Sequence, residues 1–342
     1  FPGCMRTTRA IGGSRFVSSI LLLDLLISLA CTEPIEVEEP VDATAPATDQ
    51  PSIAPTPQVV DEPPTTLLPS TPQQGEPATP EPVLPATPPP EEPKGQVPPP
   101  CTNDCTEMLH IPGGTFAMGA KDIPGESKPQ HQVTLTKGYW MDRFEVSERR
   151  YKICKDAGVC PEATAGLGDK DTAARGITWE GAVAFCRWAG KRLPTEAEWE
   201  HAGCGDGTQC YPWGGEKQGS ACTEEPTCDM AAFCPQSQCA GGPCYNRPKE
   251  IEAFTDTNVS FYGLVNMGGN VWEWVQDRWT PNFEWCREGC TDPLAPGDDQ
   301  RHVFKGGAWI SEEVFMRCAA RYHDGEGGFP DVEVGLRCAA DE

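Results

Sequence analysis

Gly263-Leu264-Val265-Asn266-Met267-Gly268-Gly269-Asn270-Val271-Trp272-Glu273-Trp274 is the stretch whose reading decides the fold. Its glycines mark a tight turn, and the alternation after them places Trp272 and Trp274 on one face of a short strand. The same punctuation recurs outward. Ile111-Pro112-Gly113-Gly114-Thr115-Phe116-Ala117-Met118-Gly119 reads as a turn and then a strand, His131–Leu135 alternates as a half-buried strand does, and Tyr139–Asp142 follows as another. Ser147 caps a helix that runs through Tyr151 and Cys154 and stops at Gly158. Thr178 begins a second, with Val183 and Cys186 on one face, ending at Gly190. Thr195 and Glu198 have the spacing of a capping box, opening a third that carries Trp199 and ends at Gly203. Gly306-Gly307-Ala308-Trp309 and Gly335-Leu336-Arg337-Cys338 close the pattern. No long helix, βαβ rhythm or internal repeat is visible. The expectation is an irregular α+β domain in which glycine turns and disulfides stand in for regular structure.

Composition divides the chain into three zones: 1–31, 32–100 and 101–342. Residues 101–342 hold every tryptophan and 16 of the 18 cysteines, enough chain for one well-buried core or two small ones. Such cysteine density is rare in a reducing compartment, and no Cys-x-x-Cys pair supports structural zinc, so disulfides in an exported protein are expected. Cys154–Cys160, Cys286–Cys290 and Cys101–Cys105 are candidate local pairs. The six cysteines 210, 222, 228, 234, 239 and 244 allow about 15 connectivities.

Residues 32–100 lack Phe, Trp, Tyr and Cys and contain 21 of the 36 prolines. Such a stretch cannot bury enough surface to offset the entropy of ordering, so it is expected to be a disordered, acidic, Pro-rich tether. At about 3.1 Å per residue in polyproline II it would reach up to roughly 200 Å. Its proline runs could also dock on aromatic grooves; reach is the reading adopted. Before it, Met5 reads as the start, Arg6, Arg9 and Arg15 as a basic region, and Phe16–Ala30 as an apolar signal-peptide core, short for a membrane span. Ser28-Leu29-Ala30-Cys31 resembles a bacterial lipobox with Ser28 in place of the usual aliphatic residue, which makes Cys31 the expected lipidation site. A plain cleaved signal is the alternative. The location expected is the bacterial cell envelope, outer membrane or periplasm.

The net charge is −24, of which the tether carries −11 and the domain −15 against about +2 at the start. That acidity repels phosphate backbones and anionic headgroups, so nucleic acid is excluded as a partner. It suits calcium, and equally a solvated surface.

The ordered set of motifs resembles the formylglycine-generating enzyme (sulfatase-modifying factor) family. It runs from Ile111-Pro112-Gly113-Gly114 through Tyr139-Trp140-Met141-Asp142, Glu145-Val146 and Gly190-Lys191-Arg192-Leu193-Pro194-Thr195-Glu196-Ala197-Glu198-Trp199-Glu200. It continues through Tyr211-Pro212-Trp213-Gly214, the Asn266–Trp274 stretch and Lys305-Gly306-Gly307, and ends with Arg317-Cys318-Ala319-Ala320-Arg321 and Gly335–Cys338. The likeness covers roughly 108–340. It implies one domain of little regular secondary structure, related to the C-type-lectin fold, with disulfides Cys186–Cys338 and Cys204–Cys318. It also implies calcium held by the side chains of Asn266 and Glu273 and the carbonyls of Gly269 and Val271, all oxygen donors as a hard cation requires. Asn266 as a turn former and Glu273 as a buried acceptor is the alternative. The family's other calcium site falls at Met230-Ala231-Ala232, where an expected Asn is missing, and is not carried over.

The enzymes of the family oxidise a substrate cysteine with copper(I) held by two thiolates, which soft copper(I) requires. Here the corresponding stretch, Gly307–Arg317, contains no cysteine, and the two positions fall on Ser311 and Glu313. No copper and no catalytic residue are therefore expected. The five histidines show none of the clustering that the family's iron-dependent relatives use, and His131 and His323 read as structural. The expected function is a monomeric, non-catalytic binding module for a protein or small ligand at the envelope, attached to the membrane through its lipid. An oxidase with a non-standard site and an accessory factor for another envelope protein are the alternatives. Trp309, Ser311, Phe315, Arg321, Tyr322 and His323 are the candidate ligand surface, with core packing as their other possible role.

Overall fold

Strand β4 (Tyr139–Asp142) is buried at every position and has a partner on each edge. β1 (Met108–Ile111) pairs with it antiparallel, His110 opposite Trp140, and β13 (Ala339–Asp341) pairs with its other edge, Ala340 also opposite Trp140. This computed structural model describes residues 103–121, 127–168, 170–218, 221–222, 225–235, 244–297, 299–325 and 332–342. All lie within the unit Glu81–Glu342. The expectations for 1–31, Cys31, the 32–100 tether and Cys101 lie outside the described residues.

β2 (Gly114–Met118) pairs antiparallel with β3 (His131–Leu135), whose far edge takes β9 (Cys290–Thr291) in parallel. A hairpin-like sheet of β5 (Gln209–Tyr211), β6 (Gly214–Gln218) and β7 (Ala221–Cys222) follows the last of the three helices. The central sheet has the order β11 (Arg321–His323), β10 (His302–Lys305), β8 (Trp272–Arg278), β12 (Val334–Leu336), with β12 parallel to β8 and the other pairs antiparallel. Trp272 and Trp274 share one face of β8 and both pack edge-on against Phe304 of β10, each with ring centroids 5.1 Å apart.

The three helices start at the caps the sequence marks. Ser147 Oγ accepts from Arg150 N before α1 (Glu148–Asp156), and Thr178 Oγ1 from Gly181 N before α2 (Trp179–Trp188). At α3 (Glu196–Cys204) the Thr195 hydroxyl takes the Glu198 N–H at 3.1 Å while the Glu198 carboxylate takes the Thr195 N–H at 2.8 Å, satisfying two helix-end donors reciprocally. α3 runs one residue past Gly203, because Gly205 rather than Gly203 takes the left-handed φ of 58° and returns its N–H to His201. α1 stops two residues before Gly158.

Trp199 on α3 and Trp274 on β8 are the largest fully buried side chains. Few elements exceed nine residues, so covalent ties matter. Cys186–Cys338 joins α2 to the segment before β13 across 152 residues, and Cys204–Cys318 joins α3 to the segment before β11 across 114. Cys154–Cys160 and Cys286–Cys290 are short local bridges. In the insert, Cys210 pairs with Cys222 and Cys228 with Cys244, which resolves part of a connectivity that spacing left open.

Candidate functional site

β10 ends in Lys305, and Gly306 and Gly307 turn the chain with φ of 94° and 76°. Trp309 N then donates to Asn270 O at 3.0 Å, fixing this turn to the Asn266–Glu273 loop. Ser311 closes the turn from inside: its N–H donates to Ala308 O and its hydroxyl accepts from Ala308 N at 3.0 Å. A 3-10 helix, Glu313–Met316, follows. Beside it lies a hollow of about 270 Å³, lined by Tyr211, Glu225, Glu312, Glu313 and Arg317 among others. A second of about 210 Å³ shares Glu225 and Glu313 and continues to Cys228 and Phe233. Glu313, at the second copper position, therefore lines an open cleft, while Ser311, at the first, is spent on its turn.

Thiol chemistry is closed off here. Among the described residues all fourteen cysteines are disulfide-bonded, including Cys222 and Cys228 on the cleft walls. The cleft offers carboxylates, a phenol and a guanidinium, none of them a soft donor for copper(I).

The expected ligand surface divides. Tyr322 is 46% exposed, and Phe315, half-buried, stands edge-on to it with centroids 6.3 Å apart. Ile310 is as exposed as Tyr322. His323 lies parallel to the Tyr322 ring at 5.4 Å and against Trp279 at 4.6 Å. Two expectations are corrected. Trp309 is buried, with the Arg175 guanidinium over its ring. Arg321 is buried in a double contact with Glu196, Nη2 to Oε2 at 2.9 Å and Nε to Oε1 at 2.8 Å, and donates to Thr280 O. Alternation explains the split: in a three-residue strand, Arg321 and Tyr322 point to opposite faces. Glu225 was missed, since it sits in an insert without periodicity, although the Glu312-Glu313 doublet was a visible sign of an acidic wall.

The Asn266–Glu273 loop holds a buried polar cluster. Asn266 and Asn270 take φ of 59° and 68°, a region that asparagine tolerates better than most residues. Gly269 has φ 86°, and an added Cβ would lie 2.5 Å from Ala232 O. Glu145 accepts from Asn266 Nδ2 at 2.9 Å and from Asn270 Nδ2 at 3.0 Å. Glu273 accepts from Trp199 Nε1 at 2.7 Å and Arg337 Nη2 at 2.7 Å. Arg337 spends all five of its N–H groups, on Glu273 and on the carbonyls of Asp142, Arg143 and Val265. Burial, and then the Glu273 charge, push the Glu145 carboxyl well above its usual range. Glu273 thus takes the guanidinium while Glu145 rests on two amide donors, and Asn266 Oδ1 is buried without a hydrogen-bond partner. An unsatisfied buried oxygen is what a hard cation would compensate, and Asn266 Oδ1 with the Glu273 carboxylate would be its side-chain donors.

Helix caps, a glycine-rich buried loop and long-range disulfides define a stapled α+β domain of the formylglycine-generating type, related to the C-type-lectin fold. Over residues 93–342 the chain matches the model described as a sulfatase-modifying factor enzyme 1-like domain, and it belongs to that family. The formylglycine-generating enzyme of Thermomonospora curvata is 30% identical over 292 residues, 68% of this chain and 93% of that one. The serine/threonine-protein kinase pkn1 of Chlamydia caviae is 30% identical over 257 residues, 68% of this chain but 38% of that protein. The solved structure of PvdO from Pseudomonas aeruginosa is similar with a TM-score of 0.57 at 20% identity, covering 72% of this chain and all of that one, a likeness of fold.

Proposed function

We propose that this member of the family is a non-catalytic binding module, displayed at the bacterial cell envelope on a lipid anchor at Cys31. The observation that carries it is the bonding of every described cysteine, with Ser311 and Glu313 where the copper thiolates would stand. The cleft bordered by Glu225, Glu312 and Glu313 suits a cationic segment of a protein partner, and Phe315 and Tyr322 add an aromatic shoulder. Calcium at Asn266 and Glu273 belongs to the same reading, as a brace for the loop that Trp309 leans on. When bound it would supply charge compensation, not chemistry on a substrate.

The purified full chain, supplied with copper(I) and a Cys-x-Pro-x-Arg peptide under oxygen, is expected to leave the cysteine unchanged while retaining the peptide through its arginine. Mass spectrometry for the aldehyde, together with fluorescence anisotropy of the labelled peptide, reads both. Aldehyde formation would overturn the binding reading in favour of an oxidase with a non-standard site.

A further inference from the structure

An open groove of about 700 Å³ lies away from this cleft and shares no lining residue with it. Its walls are the segments 170–172 and 245–254, with Arg149 at the start of α1 and Asp229 on the rim. Those walls are built, not loosely apposed. Ala173 N donates to Lys249 O, Ile251 N to Asp171 O at 2.9 Å, and Thr172 bridges Glu250 as a strand residue would. Lys249 N donates to Asn270 Oδ1 at 2.7 Å, which fixes the wall to the buried Asn266–Glu273 loop.

The charges on this frame run against the rest of the domain. Four cations, Arg149, Lys170, Arg247 and Lys249, face three carboxylates, Asp171, Asp229 and Glu250, in a domain whose net charge is −15. Arg149 is held by Asp171 at 2.9 Å, and the Lys249 ammonium sits 4.5 Å over the Tyr245 ring. Among the described residues Lys170 and Arg247 have no ion pair or hydrogen bond of their own side chains, so two cations are left to meet a ligand. The carboxylates narrow the choice. A polyanion would be repelled by Asp171, Asp229 and Glu250, whereas hydroxyl groups would donate to them. The Tyr245 ring, fixed by its hydroxyl on Cys228 O at 2.9 Å, adds an aromatic edge.

From this arrangement we infer that the groove binds an acidic sugar: a hydroxyl-rich ring bearing one carboxylate, taken bidentately by Arg247, as a planar guanidinium favours. Lys170 and Lys249 set the charge, and the acids take the hydroxyls. The site is independent of the cleft reading, which can fail without it.

Isothermal titration of the full chain with glucose oligosaccharides capped by a single glucuronate, with neutral glucose oligomers of equal length and with inorganic sulfate separates the outcomes. The uronate is expected to bind with an affinity that falls as salt is raised, and both controls to bind far more weakly. Arg247→Ala should weaken uronate binding by about tenfold or more, the loss that about 1.4 kcal/mol represents. Arg247→Lys should restore part of it, and Glu313→Gln in the cleft should leave it unchanged. Both Arg247 variants are exposed substitutions whose thermal midpoint should match the parent, and Lys170→Gln gives a second readout should either fail to fold. Equal binding of the neutral oligomer, equal or tighter binding of sulfate, no uronate binding, or binding indifferent to both Arg247 and Lys170 would overturn the proposal.

Discussion

His201 shows how one buried side chain sets a pH response. It lies on α3 beneath Phe116 and Tyr262, with Tyr139 and Tyr262 hydroxyls at 3.4 and 3.2 Å from its two ring nitrogens. Burial pushes its pKa down to about 4, and His302, stacked on Trp179 at 3.9 Å, is also pushed down to about 4, by burial and then by Arg278. Between pH 6.5 and 4 the unfolded chain takes up protons that these folded imidazoles refuse. Stability present above pH 6.5 is therefore lost as pH falls toward 4, on the order of 3 kcal/mol for His201 alone. Asp277 works the other way. Burial, and then Glu196, raise it to about 7, so its contribution is present below about pH 4 and lost as pH rises to 7. Urea unfolding at pH 7 and at 4.5 should show a smaller acid loss in His201→Gln than in the parent. A His201 proton resonance titrating near 6.5 by NMR would contradict this account.

At the scale of elements, the caps and strands were legible because each rests on neighbours in sequence. Ser147, Thr178 and Thr195 hold helix N–H groups a few residues on, and β3 alternates over five residues. Where an element depends on distant partners, the reading ran out. Arg321 looked exposed beside Tyr322 because nothing local points to Glu196, which is 125 residues away. Arg337 was visible as a motif residue, but its five donors go to four residues scattered from Asp142 to Glu273. The pairing of Cys210 and Cys228 is set by where the insert folds, which spacing does not encode. The Asn266–Glu273 loop lies between these cases, its turn residues plain and its charge balance hidden. Removing calcium with EDTA should lower the thermal midpoint, re-addition should restore it, and magnesium should not. At a calcium concentration about 100 times the dissociation constant the gain would be about 2.7 kcal/mol. Identical midpoints in EDTA and calcium would remove the ion from the scaffold.

For the whole molecule, the covalent closure at Cys186–Cys338 ties α2 to the segment before β13. It restricts the unfolded chain across a 152-residue separation, for which the loop-entropy model gives about 4–5 kcal/mol. The variant with both Cys186→Ser and Cys338→Ser should lose a stability of that order in urea titration without loss of the β8–β10 sheet by circular dichroism. A change under about 1 kcal/mol would show that the denatured state is already compact there. The arrangement around β4 carries a different consequence. Asp104 is gripped by Arg150 and Lys191 just ahead of β1. β1 enters at Met108 beside Asp142, at one end of β4, while β13 leaves at Asp341 beside Tyr139, at the other. Tension applied at Asp104 and resisted beyond β13 would therefore run along both ladders lengthwise. Their hydrogen bonds would be sheared together instead of peeled one by one, the geometry in which a small sheet best withstands mechanical load.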